Sequence, residues 1–111
     1  MDAEDLRRLE AVGSETEIAA GGMLIERGQH GSGLFVILEG TVVVEAPEGD
    51  VEFGPGSVIG ERAIFADHRR RAARVLAATD VRALAVDRHQ VERLCAGDPM
   101  FARRLRDAGA A

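Results

Sequence analysis

From residue 15 to residue 86 the chain is cut by glycine, proline and small polar turns into β-rich segments only a few residues long. Many short strands at close spacing fold as an antiparallel roll, sandwich or jelly roll rather than as a parallel sheet. The expected strands are residues 23–25, 34–38, 41–44, 51–53, 73–77 and 81–86, each rich in β-branched or other apolar side chains. Ala20, Gly21 and Gly22 form a turn, and Gly28 to Gly33 is a polar glycine loop. Glu39 and Gly40 mark a bend or bulge, because two residues between two apolar runs cannot make a helix. Residues 46–50 and the triplet Gly54, Pro55, Gly56 are turns by composition.

Helical patterns flank this region. Asp2 can cap a short helix over residues 1–12, with Leu6, Leu9 and Val12 as its apolar stripe. Glu4, Asp5, Arg7 and Arg8 are expected on the other face, and Gly13 with Ser14 ends it. After residue 86, Asp87 with Gln90 makes a start resembling a capping box, ahead of Val91, Leu94 and Cys95 on one face. Gly97 stops that helix. Asp98 followed by Pro99 caps a last helix, since the missing N–H of proline costs nothing at the first helical position. Phe101 and Leu105 share its inner face, and it runs out near Asp107. The expected fold is mostly β with flanking helices: an antiparallel β-roll or jelly roll, a short N-terminal helix, a short helix opening after Gly60, and two C-terminal helices.

At 111 residues this is read as one domain, 1–111, with 46% hydrophobic residues for its core. A formal net charge of -5 excludes the whole domain as an electrostatic binder of nucleic acid or anionic membrane. An anion site would therefore have to be built locally. Cys95 is the single cysteine, so no internal disulfide can form, and a buried structural thiol in a reducing compartment is the expectation. No apolar run approaches the roughly 18 residues of a membrane span and no signal peptide is recognisable, so the expected location is cytoplasmic with no direct membrane contact. His30, His68 and His89 are too scattered for a metal site, and no nucleophile elbow or paired carboxylates point to catalysis.

The local anion site is expected at Gly60. It ends the apolar pair Val58 and Ile59 and opens a short helical-looking segment, where free N–H groups and the helix dipole favour an anion. Arg71, at the end of the run Arg69, Arg70, Arg71, can add a planar fork that matches a phosphate with two hydrogen bonds. Ala72 and Ala73 are small enough to let a ligand approach. Glu61 would repel a phosphate unless it faces a donor on the same ligand, such as a sugar hydroxyl. A phosphate with a hydroxyl donor beside it means a nucleotide or a sugar phosphate.

Gly54, Pro55, Gly56, Ser57, Val58, Ile59, Gly60, Glu61, Arg62, Ala63 and Ile64, with Arg71, Ala72 and Ala73 further on, resemble the phosphate-binding cassette of cyclic nucleotide-binding domains. Gly28 through Gly40 resembles the glycine-bounded hairpin of the same family. The resemblance implies that Glu61 takes the ribose 2′-hydroxyl and Arg71 the cyclic phosphate, with Ile59, Gly60, Arg62, Ala63, Ala72 and Ala73 around the ligand. It further implies a residue on the last helix closing over the base, for which Leu105 and Arg106 are the candidates; the bland reading of Leu105 is a core position. Four positions depart from the family pattern: Ser57, Ile59, Arg62 and Arg74.

By the same resemblance the chain is a regulatory module and not an enzyme. Its ligand would be cyclic AMP, with cyclic GMP weaker because a threonine that goes with cyclic GMP preference is here Ala72. No metal is expected. The partners implied are an effector domain or parent protein outside this chain and no direct nucleic acid, with a homodimer as an option. The alternatives are the sensor fragment of a transcription regulator lacking its helix-turn-helix, and a ligand-free jelly-roll scaffold for protein–protein interaction.

Overall fold

The run of apolar residues at 34–38 lacks the alternation of a half-buried strand, and the fold shows why. The computed structural model describes residues 2–25, 33–60 and 74–109. Within them, α1 (Ala3–Val12) leads into eight strands: β1 (Ser14–Ile18), β2 (Met23–Ile25), β3 (Gly33–Glu39), β4 (Val42–Ala46), β5 (Gly49–Phe53), β6 (Val58–Ile59), β7 (Arg74–Ala77) and β8 (Val81–Asp87). Two helices follow, α2 (Arg88–Gly97) and α3 (Pro99–Asp107). The strands form two four-stranded sheets, ordered β1-β8-β3-β6 and β2-β7-β4-β5, and every named pairing is antiparallel.

The first sheet is covered on both faces. Leu34 and Val36 of β3, Val58 of β6, and Leu84 and Val86 of β8 pack against Leu9, Val91, Phe101 and Leu105 of the helices. Ile37, Ile59, Val81 and Ala83 from the same strands point the other way, onto Ile25, Val42, Val44, Val75 and Ala77 of the second sheet. A strand buried on both faces has no solvent side to fill with polar residues, so its sequence reads as continuously apolar. The expected β-roll with flanking helices is therefore present, as two apolar layers sharing one sheet.

Local chemistry sets the joints. Asp2 caps α1 by accepting from the Asp5 N–H at 2.8 Å, and Asp87 caps α2 by accepting from the Gln90 N–H at 3.0 Å. Asp98 caps α3 through the Met100 and Phe101 N–H groups, with Pro99 at the first helical position. The register of β3 on β8 slips between Ile37 and Glu39, the bulge expected from Glu39 and Gly40. Gly40 has φ +91°, and a Cβ there would lie 2.3 Å from the Asp80 carbonyl oxygen, so only glycine lets the two chains cross at this point.

Two expectations need correction. Residues 14–18, assigned no strand from sequence, form β1 on the edge of the first sheet, paired with β8 from Ser14 opposite Ala85 to Ile18 opposite Val81. On α1 Leu6 and Leu9 of the expected stripe face the core with Asp5 beside them, whereas Val12 is exposed. A helix turns about 100° per residue, so each step of three falls about 60° short of a full turn and two such steps carry Val12 about 120° away from Leu6, while Leu9 stays about 40° from Asp5.

Candidate functional site

The expected anion site begins where β6 ends. Val58 and Ile59 are fully buried, each on a different apolar layer, and they pair with Val36 and Phe35 of β3. Gly60 follows, buried, with φ +94°. That conformation is rarely open to other residues, so Gly60 is fixed by backbone geometry as the point where the chain leaves the first sheet. The chain re-enters at Arg74, the first residue of β7 in the second sheet. Residues 61–73 lie in sequence between β6 of the first sheet and β7 of the second. Glu61, Arg62, Ala63, Arg71, Ala72 and Ala73 all belong to this connection and lie outside the described residues, as do residues 26–32 of the glycine loop.

Ser57 precedes the site on a firm base. The Ser57 carbonyl accepts from the Ile37 N–H at 2.9 Å, and the Gly56 N–H donates to the Ile37 carbonyl at 2.7 Å. These bonds extend the short β6 pairing backwards and tie the Gly54, Pro55, Gly56 turn to β3.

Arg74, one of the departures from the family pattern, is engaged within the second sheet. It sits opposite Glu45 on β4, and its Nε donates to Glu45 Oε1 at 2.8 Å. Opposite charges directly across a strand pair stabilise the register. The residue that follows the connection is thus anchored to the sheet by its own side chain.

On α3, Leu105 is 1% exposed and packs with Leu9, Val91 and Phe101, the core position that its spacing from Phe101 allows. Arg106, the next residue, is exposed on the same helix. Sequence reasoning missed a charged network joining α1 to α3. Asp5 is 1% exposed and accepts from Arg104 Nε at 2.7 Å and Nη2 at 2.9 Å. Asp98 accepts from Arg8 Nη1 at 2.8 Å, and the Arg8 guanidinium lies 5.8 Å from the centre of the Phe101 ring. The Arg104 hydrogen bonds hold the Asp5 carboxyl below its usual range, and Arg8 does the same for Asp98. The signal available was the spacing of Asp5 four residues before Leu9, on the same helical face.

Cys95 is half-buried and its thiol is pushed up by burial, which disfavours the reactive thiolate. Among the described residues no group of three His, Cys, Asp or Glu could hold a metal ion. Among the same residues no helix is long and apolar enough to cross a membrane.

Two four-stranded antiparallel sheets with helices packed on the first, and a buried positive-φ glycine after β6, define a small β-roll. The profile of the cyclic nucleotide-binding domain matches residues 15–98, and the chain belongs to that family. It is 35% identical over 89 residues to a cyclic nucleotide-gated potassium channel from Mesorhizobium japonicum, an alignment covering 80% of this chain and 24% of the channel. The chain therefore spans about a quarter of the length of the curated relatives it matches. The fold superposes with a TM-score of 0.84 on a protein from work on a cyclic-GMP-dependent signalling pathway that regulates bacterial phytopathogenesis, at 29% identity over 96% of this chain and 89% of that one. It also superposes on the N-terminal domain of a transcriptional regulator from Streptomyces coelicolor A3(2), with a TM-score of 0.73 and 32% identity over 97% of this chain and 81% of that one.

Proposed function

We propose that this chain is a regulatory domain that binds cyclic AMP, and cyclic GMP more weakly, and passes the binding on to an attached effector through α2 and α3. The observation that carries the reading is the family match over residues 15–98, a span that contains Gly60, Glu61 and Arg71, the residues that the resemblance assigns to the phosphate and the ribose. In this reading the backbone at Gly60, Glu61, Arg62 and Ala63 and the fork of Arg71 hold the cyclic phosphate, and Glu61 holds the ribose 2′-hydroxyl. Ala72 and Ala73 line the approach and Arg106, exposed on α3, would close over the base, while Ile59 and Leu105 support the site from the core. The chain works by shifting a conformational population and not by catalysis. It acts in the cytoplasm, without direct contact to nucleic acid or membrane.

The effector belongs to a parent protein. The named relatives are a channel and a transcriptional regulator, and either kind of parent is compatible with an isolated sensor of this size. Cyclic GMP is the competing ligand, because a close structural neighbour comes from a cyclic-GMP-dependent pathway. Ala72 supports cyclic AMP, since the resemblance associates a threonine at that position with cyclic GMP.

The ribose assignment has its own test. Glu61→Ala should weaken cyclic AMP binding by roughly 1.5–3 kcal/mol, the scale of a hydrogen bond to a charged group. Against 2′-deoxy cyclic AMP, which has no hydroxyl to hold, the same substitution should change affinity little. Equal losses for the two ligands would make Glu61 a structural residue and remove the ribose from this reading.

A further inference from the structure

A carboxylate that is 1% exposed, on a helix face otherwise apolar, needs a reason, because burying a charge is costly unless it is paired. The pair alone is weak evidence for stability, since apolar side chains of similar volume serve as well or better. What a two-bond fork adds is direction. Arg104 Nε and Nη2 meet the two oxygens of Asp5 at 2.7 and 2.9 Å, and this geometry fixes one turn of α3 against α1. The other end of α3 is held by Arg8 on Asp98, the residue that caps it.

The fixed turn is the last of the helix. The Ala108 N–H donates to the Arg104 carbonyl at 3.0 Å, and Gly109 comes directly after. Gly109 forms an isolated parallel bridge with Val58. β6 is only two residues long and pairs with β3 on one edge, so Gly109 covers part of its other edge. With so few backbone bonds of its own, the strand is sensitive to that neighbour. Gly60 is the next residue but one after Val58.

We propose that Asp5 and Arg104 are positioning residues for the ligand site: by orienting the end of α3 they keep Gly109 on Val58 and so hold the backbone at Gly60. The inference rests on the proposed reading of Gly60 as the start of the cyclic nucleotide site. It makes α1, some 50 residues earlier in the chain, part of the scaffold of that site.

The test has two arms. In the first, amide hydrogen exchange without ligand is measured at Val58, Ile59, Gly60 and Gly109. The proteins are the wild type, Asp5→Asn, Arg104→Lys, and a control, Glu15→Gln, which removes the 2.6 Å Glu15–Arg82 pair on the far edge of the sheet. Asp5→Asn and Arg104→Lys should each speed exchange at those four amides by at least about tenfold, while β1 and β8 stay as protected as in the wild type. The control should leave the four amides unchanged. In the second arm, cyclic AMP affinity should fall by about three- to tenfold in both variants, and the double variant should be no worse than the poorer single one. Unchanged exchange at residues 58–60, exchange that rises equally across β1 and β8, or affinity within about twofold of wild type would each overturn the proposal. If the wild type binds no cyclic nucleotide, the functional reading fails by itself, and the first arm still decides whether the pair positions Gly60.

Discussion

Arg71→Ala should weaken cyclic AMP binding by about thirtyfold to several thousandfold, the equivalent of roughly 2–5 kcal/mol. That is the range for removing one partner of a desolvated, hydrogen-bonded charge pair. Three arginines stand in a row, but only one is expected to carry the phosphate. Arg69 and Arg70 come after the polar segment Ala66, Asp67, His68, where long cations are usually solvated and worth little. Arg71 is succeeded by Ala72 and Ala73, whose small side chains would leave room for a ligand in the proposed reading. Arg69→Ala and Arg70→Ala should each cost under about tenfold, mostly through long-range charge that salt screens. Folding should survive Arg71→Ala, because in the proposed reading the partner of this arginine is the ligand. The three variants titrated at low and high salt decide the matter, and a larger loss at Arg70 than at Arg71 would move the phosphate contact by one residue.

Phe101→Ala should lower the stability of the domain by about 3–5 kcal/mol, a large part of the 5–15 kcal/mol typical of a native domain. Phe101 is fully buried where α3 meets α1 and the first sheet, in one cluster with Leu9, Leu34, Val36, Leu84, Val91 and Leu105. It is the largest fully buried side chain among the described residues, and the aliphatic groups around it belong to several different elements, which cannot all close on the hole. The guanidinium of Arg8 over the ring adds a smaller contribution that the same substitution removes. Denaturant unfolding followed by far-ultraviolet circular dichroism is the measurement, since the chain has no tryptophan or tyrosine for fluorescence. A loss below about 1 kcal/mol would mean that the helices are not packed on the sheet as described.

The strands were legible because glycine and proline bound them and because burial on two faces leaves an unmistakable apolar run at residues 34–38. The helix starts were legible for a similar reason: Asp2, Asp87 and Asp98 each cap through a local hydrogen bond that depends on nothing distant. β1 was not legible, since Ser14, Glu15, Thr16, Glu17 and Ile18 form a largely exposed edge strand defined by its pairing with β8 and not by an apolar run of its own. Asp5, expected on the solvent face, also pairs at a distance. Its spacing from Leu9 places it on the buried face, but its partner, Arg104, lies 99 positions away, and no local pattern names a partner at that separation. Arg74 is a third case: it departs from the family pattern, and Glu45 across the strand accounts for it. Of the candidate site, the sequence order named Gly60, and the structure shows it buried at positive φ where the first sheet ends.

The most direct measurement of the central claim is a calorimetric titration of the wild-type chain with cyclic AMP, cyclic GMP and AMP, paired with thermal melts at saturating ligand. Cyclic AMP should bind most tightly, cyclic GMP more weakly and AMP far more weakly, because the pocket is expected to suit a singly charged cyclic phosphate. At a ligand concentration about one hundred times the Kd, the folded state should gain about 2.7 kcal/mol. The contradicting result is no heat and no melting shift with either cyclic nucleotide at millimolar concentration, or AMP binding with the affinity of cyclic AMP.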